Sequence, residues 1–167
     1  MKSKKERIGL IIGKFAPLHK GHEYLIKKAL DEVDKLYILI YETDLIDVDV
    51  EVRESWIKKV FKFEKIETIK AINPPKKYGM DEESIKIQLD YISKILGENN
   101  IVGITHVFSS EEYGKCIAQM LNAENVLVDK ERINIPVNAT CIREDIEKYK
   151  KYLSKEVYED LNEKICM

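Results

Sequence analysis

The chain has 167 residues, a formal net charge of −2, and 44% hydrophobic and 35% charged residues. This length suits a single domain, 1–167, and is too short for two ordinary ones. The charge balance offers no global field for nucleic acid, and no apolar stretch is long enough for a membrane span or a secretory signal. Cys116, Cys141 and Cys166 form no C-x-x-C pair, which disfavours a disulfide framework and a zinc site. We therefore expect a soluble, cytoplasmic protein that contacts neither nucleic acid nor membrane.

The first predicted element is a strand followed by a turn into a helix. The apolar run 8–12 stops at Gly13, and a helical pattern begins at Gly21. His19 and His22 are three residues apart, which places both imidazoles on one face at the start of that helix. The free N–H groups and the positive end of the helix dipole gather there and suit a phosphate. The pattern predicts an anion site with two titratable donors, whereas a solvated helix face is the alternative for the histidine pair alone.

Three residues shape the predicted turn. Gly13 is expected to permit a turn that a β-carbon would hinder, and Gly21 is expected to let a ligand approach the backbone closely. Pro17 stiffens the segment between them.

Alternating strands and helices follow along the chain. Strands are predicted at 36–40, 67–72, 106–109 and 126–128, and helices at 21–32, 52–61, 81–96 and 111–121, with Gly97 stopping the third helix. A strand, a helix and a strand in that order imply a right-handed crossover. The fold class is therefore α/β, with a Rossmann-like open parallel five-stranded sheet flanked by helices. His106, at the entry to a strand, is expected to be structural.

Two loops after predicted strands are candidate substrate loops, because open α/β sheets bind ligands at the carboxyl ends of their strands. The acidic segment 42–51 carries Asp44, Asp47 and Asp49. A metal site is the less favoured interpretation of this segment, and a solvated loop the simpler one. The segment 73–80, with two prolines and Gly79, cannot form regular structure.

A second motif lies at 137–143, with the sequence VNATCIR. It precedes a single helical stripe formed by Ile142, Ile146, Tyr149 and Leu153. Asn138 or Thr140 is predicted to cap this helix, and Arg143 is predicted to lie on its first turn. The planar guanidinium offers paired donors to a phosphate. An ordinary capped helix is the alternative.

Both motifs resemble those of a known superfamily. The decapeptide 13–22, GKFAPLHKGH, fits the G-[KR]-F-x-P-x-H-x-G-H pattern of HxGH-type nucleotidyltransferases in full, and 137–143 resembles their I-S-x-T-x-x-R motif. Segments 50–56, 109–112 and 126–132 are similar to the nicotinamide mononucleotide (NMN) adenylyltransferase domain of bifunctional bacterial proteins that also carry a ribosylnicotinamide kinase. The likeness covers about 7–161. No kinase is expected here, because the chain has no G-x-x-x-x-G-K-[ST] loop and ends at Met167.

The resemblance implies roles for residues at the ATP side of the site. His19 and His22 would hold ATP phosphates and stabilise charge at the α-phosphate, and Lys14 would neutralise phosphate charge. Thr140 and Arg143 would clamp the β- and γ-phosphates. The other positions implied to bind ATP are Gly13, Phe15, Gly21, Ser109, Ser110 and Asn138. Asn138 replaces the serine of the superfamily motif but keeps a capping side chain.

The resemblance also implies a mononucleotide side. Arg53 and Trp56 would belong to a helix that borders it, although Trp56 is interpreted more simply as a core residue. The kinase-linked relatives tend to have an aromatic residue near Met80 that could stack on nicotinamide. Either Tyr78 supplies the ring here or the acceptor differs.

The activity that the resemblance implies is transfer of the adenylyl group of ATP to a mononucleotide, NMN first, forming NAD and pyrophosphate. Mg²⁺ would accompany ATP, held by substrate and water without protein metal ligands. One alternative is the same fold with another acceptor or with CTP, as in a cytidylyltransferase or a phosphopantetheine adenylyltransferase. Another is a non-catalytic nucleotide sensor. A homo-oligomer is expected.

Overall fold

A parallel five-stranded sheet organises the chain. The computed structural model describes residues 3–62 and 64–165, with side chains described up to 163. The strands are β1 (Ile8–Gly13), β2 (Lys35–Tyr41), β3 (Ile66–Ala71), β4 (His106–Ser109) and β5 (Glu124–Leu127). They lie in the order β3-β2-β1-β4-β5, and every neighbouring pair is parallel. The predicted Rossmann-like fold class is confirmed.

Helices cover both faces of the sheet. They are α1 (Lys20–Glu32), α2 (Val50–Val60), α3 (Glu82–Glu98), α4 (Tyr113–Leu121), α5 (Ala139–Glu144), α6 (Ile146–Tyr149) and α7 (Lys155–Ile165), with a 3₁₀ turn at Lys150–Tyr152. Along the described part of the chain, no helix is long and apolar enough to cross a membrane.

Two hydrophobic cores lie on opposite faces of the sheet, because successive strand side chains point in opposite directions. Ile11 packs in one core with Ile26 of α1 and Trp56 of α2. Leu10, the preceding residue, packs in the other core with Ile92 of α3. The central strands β1 and β2 are nearly continuous in apolar residues, as expected of strands covered on both faces.

The order of the strands reverses at β1. The chain first adds β2 and β3 on one side of β1 and then crosses to add β4 and β5 on the other side. Such a reversal opens a crevice at the carboxyl ends of the two central strands. In this sheet the crevice lies after Gly13 of β1 and Ser109 of β4.

The third helix differs from its prediction. Gly97 does not stop α3, which runs to Glu98, and a β-carbon on Gly97 would meet no atom within 4 Å. The Asn99 amide instead binds the Ile95 carbonyl, and Asn100 adopts a φ of 54°. Ile92 and Leu96 of the predicted stripe are buried, whereas Ile85 and Leu89 are half-buried. In the first half of the helix the buried positions are instead Ser84 and Gln88, which a rule based on apolar residues does not detect.

The predicted final helix is broken. Asp145 has non-helical φ and ψ angles of −152° and 88°, and its carboxylate accepts the Lys148 N–H to start α6. One apolar stripe therefore runs across two short helices and a 3₁₀ turn. Smaller differences are that α4 begins at Tyr113 and that β5 spans Glu124–Leu127.

Candidate active site

The turn after β1 is built around Phe15, which is fully buried and has a φ of 49°. Gly13 has no positive φ. A β-carbon on Gly13 would lie 3.2 Å from the Phe15 ring, so a β-carbon would hinder this turn as predicted, through packing against the ring and not through the backbone conformation. The ring packs edge-on against His22, with 4.9 Å between centroids. Phe15, whose backbone is left-handed, therefore supports the His22 ring by packing against its side.

The two histidines cap α1 reciprocally. Nδ1 of His19 accepts the N–H groups of Gly21 and His22 at 3.0 and 3.4 Å, and Nδ1 of His22 accepts the His19 N–H at 3.2 Å. The rings stack with centroids 3.7 Å apart. Because each Nδ1 is an acceptor, the proton of each neutral ring lies on Nε2, which can donate to a ligand.

Gly21 is required by the first of these rings. A β-carbon there would lie 2.8 Å from Cε1 of His19, closer than real contacts allow. Gly21 therefore has a packing role within the protein, which is separate from the close approach of a ligand that the sequence predicts.

Both imidazoles are held neutral. Burial, and then the positive charge of Arg132, lowers the pKa of His19 from 6.5 to about 4. Burial, then His19 and Arg132, puts the pKa of His22 well below its ordinary value. At neutral pH the pair therefore offers two uncharged N–H donors, and the positive charge of the site comes from other residues.

Arg143 joins the second motif to the first. Its Nη1 donates to the carbonyl of Ala16 at 2.8 Å, across 127 residues of sequence. Its Nη2 donates to the hydroxyl of Thr140 at 3.3 Å. Arg143 lies in the last turn of α5, and the prediction of the first turn is wrong because α5 is only six residues long. The guanidinium still reaches the β1–α1 turn.

Lys14 supplies a second cation on the same side. Its ammonium lies 4.1 Å from the centroid of the Tyr78 ring. Burial, and then the charge of Arg143, lowers the pKa of Lys14, although Asp44 and Glu111 oppose this. The Lys14 ammonium lies against the Tyr78 ring and near the Arg143 guanidinium. The two positive charges together attract an anionic ligand.

These groups line one cavity of about 560 Å³, which lies where the strand order of the sheet reverses. The predicted site residues that line it are Gly13, Lys14, Phe15, His19, Gly21, His22, Tyr78, Met80, Ser109, Ser110 and Arg143. Tyr78 and Met80, 52% and 59% exposed, lie at its rim. The cavity volume falls in the range of small-molecule sites.

Four predicted residues are not part of this lining. Asn138 caps α5 by accepting the Cys141 N–H at 2.9 Å, and Thr140 is exposed beside Arg143. Arg53 and Trp56 are fully buried in the protein and do not border the cavity. Trp56 donates from Nε1 to Asp160 at 2.7 Å, which confirms its interpretation as a core residue.

Arg132 lines the cavity and was not predicted as a site residue. It has a φ of 51°, and its Nη1 donates to the Val137 carbonyl at 2.8 Å. The Asp129 carboxylate accepts the N–H groups of Ile133, Asn134 and Ile135, which folds the loop that carries Arg132. The only sequence signal was the V-L-V-D-x-x-R segment.

The loop at 72–81 covers one side of the cavity and is anchored from below. The buried amide of Gln88 donates to the carbonyls of Pro75 and Lys77, both at 2.9 Å. The oxygen of that amide accepts the Tyr41 hydroxyl at 3.2 Å. Gln88 thus connects the end of β2 to the backbone of the loop that carries Tyr78.

Protein carboxylates contribute little to the cavity. Among its lining residues, Glu111 alone carries a carboxylate. Within residues 3–62 and 64–165, no group of three or more His, Cys, Asp or Glu side chains could hold a metal ion.

The two motifs that resemble those of nucleotidyltransferases meet at one crevice of the sheet. Residues 8–159 match the family described as the citrate lyase ligase C-terminal domain, and the chain belongs to that family. Together with the relatives described next, this match confirms the predicted nucleotidyltransferase superfamily.

Two relatives align with most of the chain. It is 32% identical over 169 residues to the "Trifunctional NAD biosynthesis/regulator protein NadR" of Escherichia coli K12, with 92% of this chain and 40% of the relative aligned. It is 29% identical over 176 residues to a "Probable nicotinate-nucleotide adenylyltransferase" of Aliarcobacter butzleri, with 93% and 94% aligned. The chain therefore spans about two fifths of the first relative and nearly all of the second.

A solved structure shares the fold. It is a bifunctional NMN adenylyltransferase/ADP ribose pyrophosphatase from Francisella tularensis, in complex with AMP and a manganese ion. The TM-score is 0.64 at 19% sequence identity, over 98% of this chain and 50% of that one. At this identity the likeness concerns the fold.

Proposed function

We propose that this protein transfers the adenylyl group of ATP to a mononucleotide, with release of pyrophosphate. The observation that carries the proposal is the contact of Arg143 with the Ala16 carbonyl, beside the cavity that His19 and His22 line. It assembles a guanidinium and two neutral N–H donors around one space large enough for a nucleotide. Phosphate chemistry suits this set, because planar guanidinium groups and helix N-termini both bind phosphate oxygens.

The names of the relatives support the direction of the proposal. One is a NAD biosynthesis protein and the other a nicotinate-nucleotide adenylyltransferase. Of these two names only the second states an acceptor, the nicotinate nucleotide, whereas the solved structure with the same fold is named for NMN. NMN is our first choice of acceptor, and nicotinic acid mononucleotide is the nearest competitor.

In the proposed reaction the 5′-phosphate of the mononucleotide attacks the α-phosphorus of ATP directly. A new P–O bond forms at the α-phosphorus while its bond to the bridging oxygen breaks, and pyrophosphate leaves with the electron pair. The nucleophile is already an anion, so no general base is needed. Catalysis then consists of positioning and electrostatic stabilisation, for which preorganised N–H donors in a buried site are effective.

The proposed roles follow the charges of the cavity. The Nε2–H groups of His19 and His22 would bind oxygens at the α-phosphate, where charge develops. Lys14, Arg132 and Arg143 would hold the β- and γ-phosphates, which become the leaving group. Mg²⁺ would arrive with ATP and be held by phosphate oxygens and water.

The two nucleosides would lie on either side of this phosphate centre. Ser109 and Ser110, at the end of β4, are proposed to border the adenosine. Tyr78 and Met80 are proposed to border the base of the acceptor, because they present a ring and a thioether at the rim. Aromatic and thioether groups both pack favourably on planar heterocycles.

A pyrophosphate-release assay tests the proposal. MgATP is combined in turn with NMN, nicotinic acid mononucleotide and phosphopantetheine, and CTP replaces ATP as a control. The expected result is turnover with ATP and a pyridine mononucleotide, and little with the other combinations. Activity with CTP alone would replace the proposed nucleotide donor, and activity with phosphopantetheine alone would replace the proposed acceptor. Tight ATP binding without turnover on any acceptor would identify a nucleotide sensor.

A further inference from the structure

Arg53 ties together three carbonyl groups at the carboxyl end of the sheet. Its Nη1 donates to the carbonyls of Lys14 and Tyr41 at 2.5 and 2.9 Å, and its Nε donates to that of Val48 at 3.2 Å. Lys14 follows β1, Tyr41 ends β2, and Val48 lies just before α2. One guanidinium thus links two residues that line the cavity, Lys14 and Tyr41, to the loop before α2.

The charge of this guanidinium has no direct partner. Arg53 is 0% exposed, forms no ion pair with the residues that the structure describes, and has a buried Nη2 with no hydrogen-bond partner. Burial lowers its pKa, and Glu42, Glu51 and Asp49 act on it only through longer-range attraction. A buried cation without a carboxylate is a poor source of stability, since desolvation outweighs what the hydrogen bonds return. Its presence therefore calls for a reason other than stability.

The contact with Lys14 supplies that reason. The Lys14 carbonyl belongs to the peptide that links Lys14 to Phe15, and Phe15 has a left-handed backbone. Fixing this peptide plane fixes the direction in which the Lys14 side chain leaves the backbone. That side chain enters the cavity and ends above the Tyr78 ring. A cation that must meet a phosphate gains from being held in one direction before the ligand arrives.

We propose that Arg53 is a positioning residue that holds the Lys14 backbone so that its ammonium points at the triphosphate. Arg53 is not part of the cavity lining and does not touch substrate. The inference rests on the proposed function, because it assigns Lys14 to ATP. It differs from the sequence-based prediction, which placed Arg53 on a helix that borders the mononucleotide.

A double-mutant cycle tests this inference. The wild type, Arg53→Lys, Lys14→Ala and the double variant are compared for kcat/KM with ATP and for the Kd of ATP by calorimetry. Lysine keeps the charge of Arg53 but cannot reach three carbonyls at once. Trp56→Phe is the matched control, because Trp56 lies on the same helix, is equally buried and also loses one hydrogen bond.

The expected results distinguish coupling between Arg53 and Lys14 from independent effects of the two residues. Arg53→Lys should lower kcat/KM by at least about tenfold when Lys14 is present, since small misplacements of a catalytic group have effects of this size. In the Lys14→Ala background the same change should lower it less than about threefold, because the group being positioned is gone. Trp56→Phe should have an equal effect in both backgrounds.

Several outcomes would overturn the inference. Equal effects of Arg53→Lys in the two backgrounds would make Arg53 an ordinary structural residue. If Arg53→Lys does not fold, Arg53→Gln replaces it, and failure of both to fold would assign Arg53 to folding alone. A wild type without adenylyl transfer would defeat the proposed function instead, and the ATP Kd values would still decide the coupling.

Discussion

His19 and His22 each accept a backbone N–H of the other through Nδ1. The atoms that cap α1 are therefore on the same two rings whose Nε2–H groups are proposed to bind phosphate. Helix initiation and substrate binding are joined in two side chains. Substitutions can separate the two contributions, because other residues cap helices but few present a neutral N–H donor in the same direction.

The first prediction concerns His22. Replacing it with alanine removes a preorganised donor in a buried site, so kcat should fall at least about a hundredfold, or about 3 kcal/mol. The reciprocal cap is also lost, and the free energy of unfolding should fall by about 1 kcal/mol. Steady-state pyrophosphate release and urea denaturation measure the two effects. Near-normal turnover of a folded His22→Ala protein would exclude the proposed role.

The second prediction compares two substitutions of His19. Asparagine is a good helix cap, whereas alanine is not. His19→Asn should remain closer to wild-type stability than His19→Ala, by about 1 kcal/mol. Both should lose catalysis to a similar extent, because both lack the imidazole Nε2–H. If His19→Asn retains most of the wild-type kcat, the ring contributes only as a cap.

The third prediction is a pH dependence of stability. His19 has a folded pKa of about 4 and an ordinary value of 6.5, so the unfolded chain binds the proton more readily. The free energy of unfolding should therefore be unaffected by this residue above about pH 6.5 and should fall between about pH 6.5 and 4. The loss from His19 alone is about 1.4 kcal/mol per pH unit, about 3 kcal/mol in total.

Urea denaturation of wild type and His19→Asn at a series of pH values checks this. The difference between the two stabilities should shrink as the pH falls, because the variant has no ring at position 19 to protonate. Parallel curves would mean that His19 does not titrate abnormally. The carboxylates of the protein contribute equally to both curves and cancel.

The fourth prediction concerns Arg132. Arg132→Gln removes a charge that helps to lower the pKa of His19 and of His22. The pKa of His19 should rise toward 6.5, which NMR titration of the ring can follow. The KM for ATP should rise about tenfold or more, because one charge-assisted contact to the leaving group is lost. An unchanged KM together with a raised pKa would place Arg132 near the histidines but away from ATP.

The fifth prediction concerns Tyr78. Stacking of a base on an aromatic side chain contributes about 1–3 kcal/mol, so Tyr78→Ala should raise the KM for the acceptor about tenfold. Tyr78→Phe keeps the ring that lies beneath the Lys14 ammonium and serves as the matched control. It should stay within about threefold of wild type. Equal effects of the two changes would direct attention to the hydroxyl instead of the ring.

The strand-to-helix turn could be predicted because its signals are local. An apolar run, a glycine and two histidines at helical spacing fix the turn within about fifteen residues of sequence. Arg143 could be predicted from its motif, but its bond to the Ala16 carbonyl depends on the packing of elements far apart in the chain. Sequence periodicity carries no information about such a contact.

Arg53 and Arg132 show where sequence interpretation fails. Arg53 lies on the buried face of α2, yet a rule based on apolar stripes treats arginine as exposed. Its burial is possible because three backbone carbonyls from other elements meet it. Arg132 lies in a loop without period, held by the Asp129 carboxylate through backbone bonds that no residue pattern reveals.

The bonds from Gln88 to the carbonyls of Pro75 and Lys77 have an evolutionary consequence. A support that grips only the main chain is indifferent to which side chains that segment bears. Mutations at the neighbouring rim positions can therefore accumulate without displacing the segment, and selection can retune which molecule is admitted while the reaction centre stays as it is.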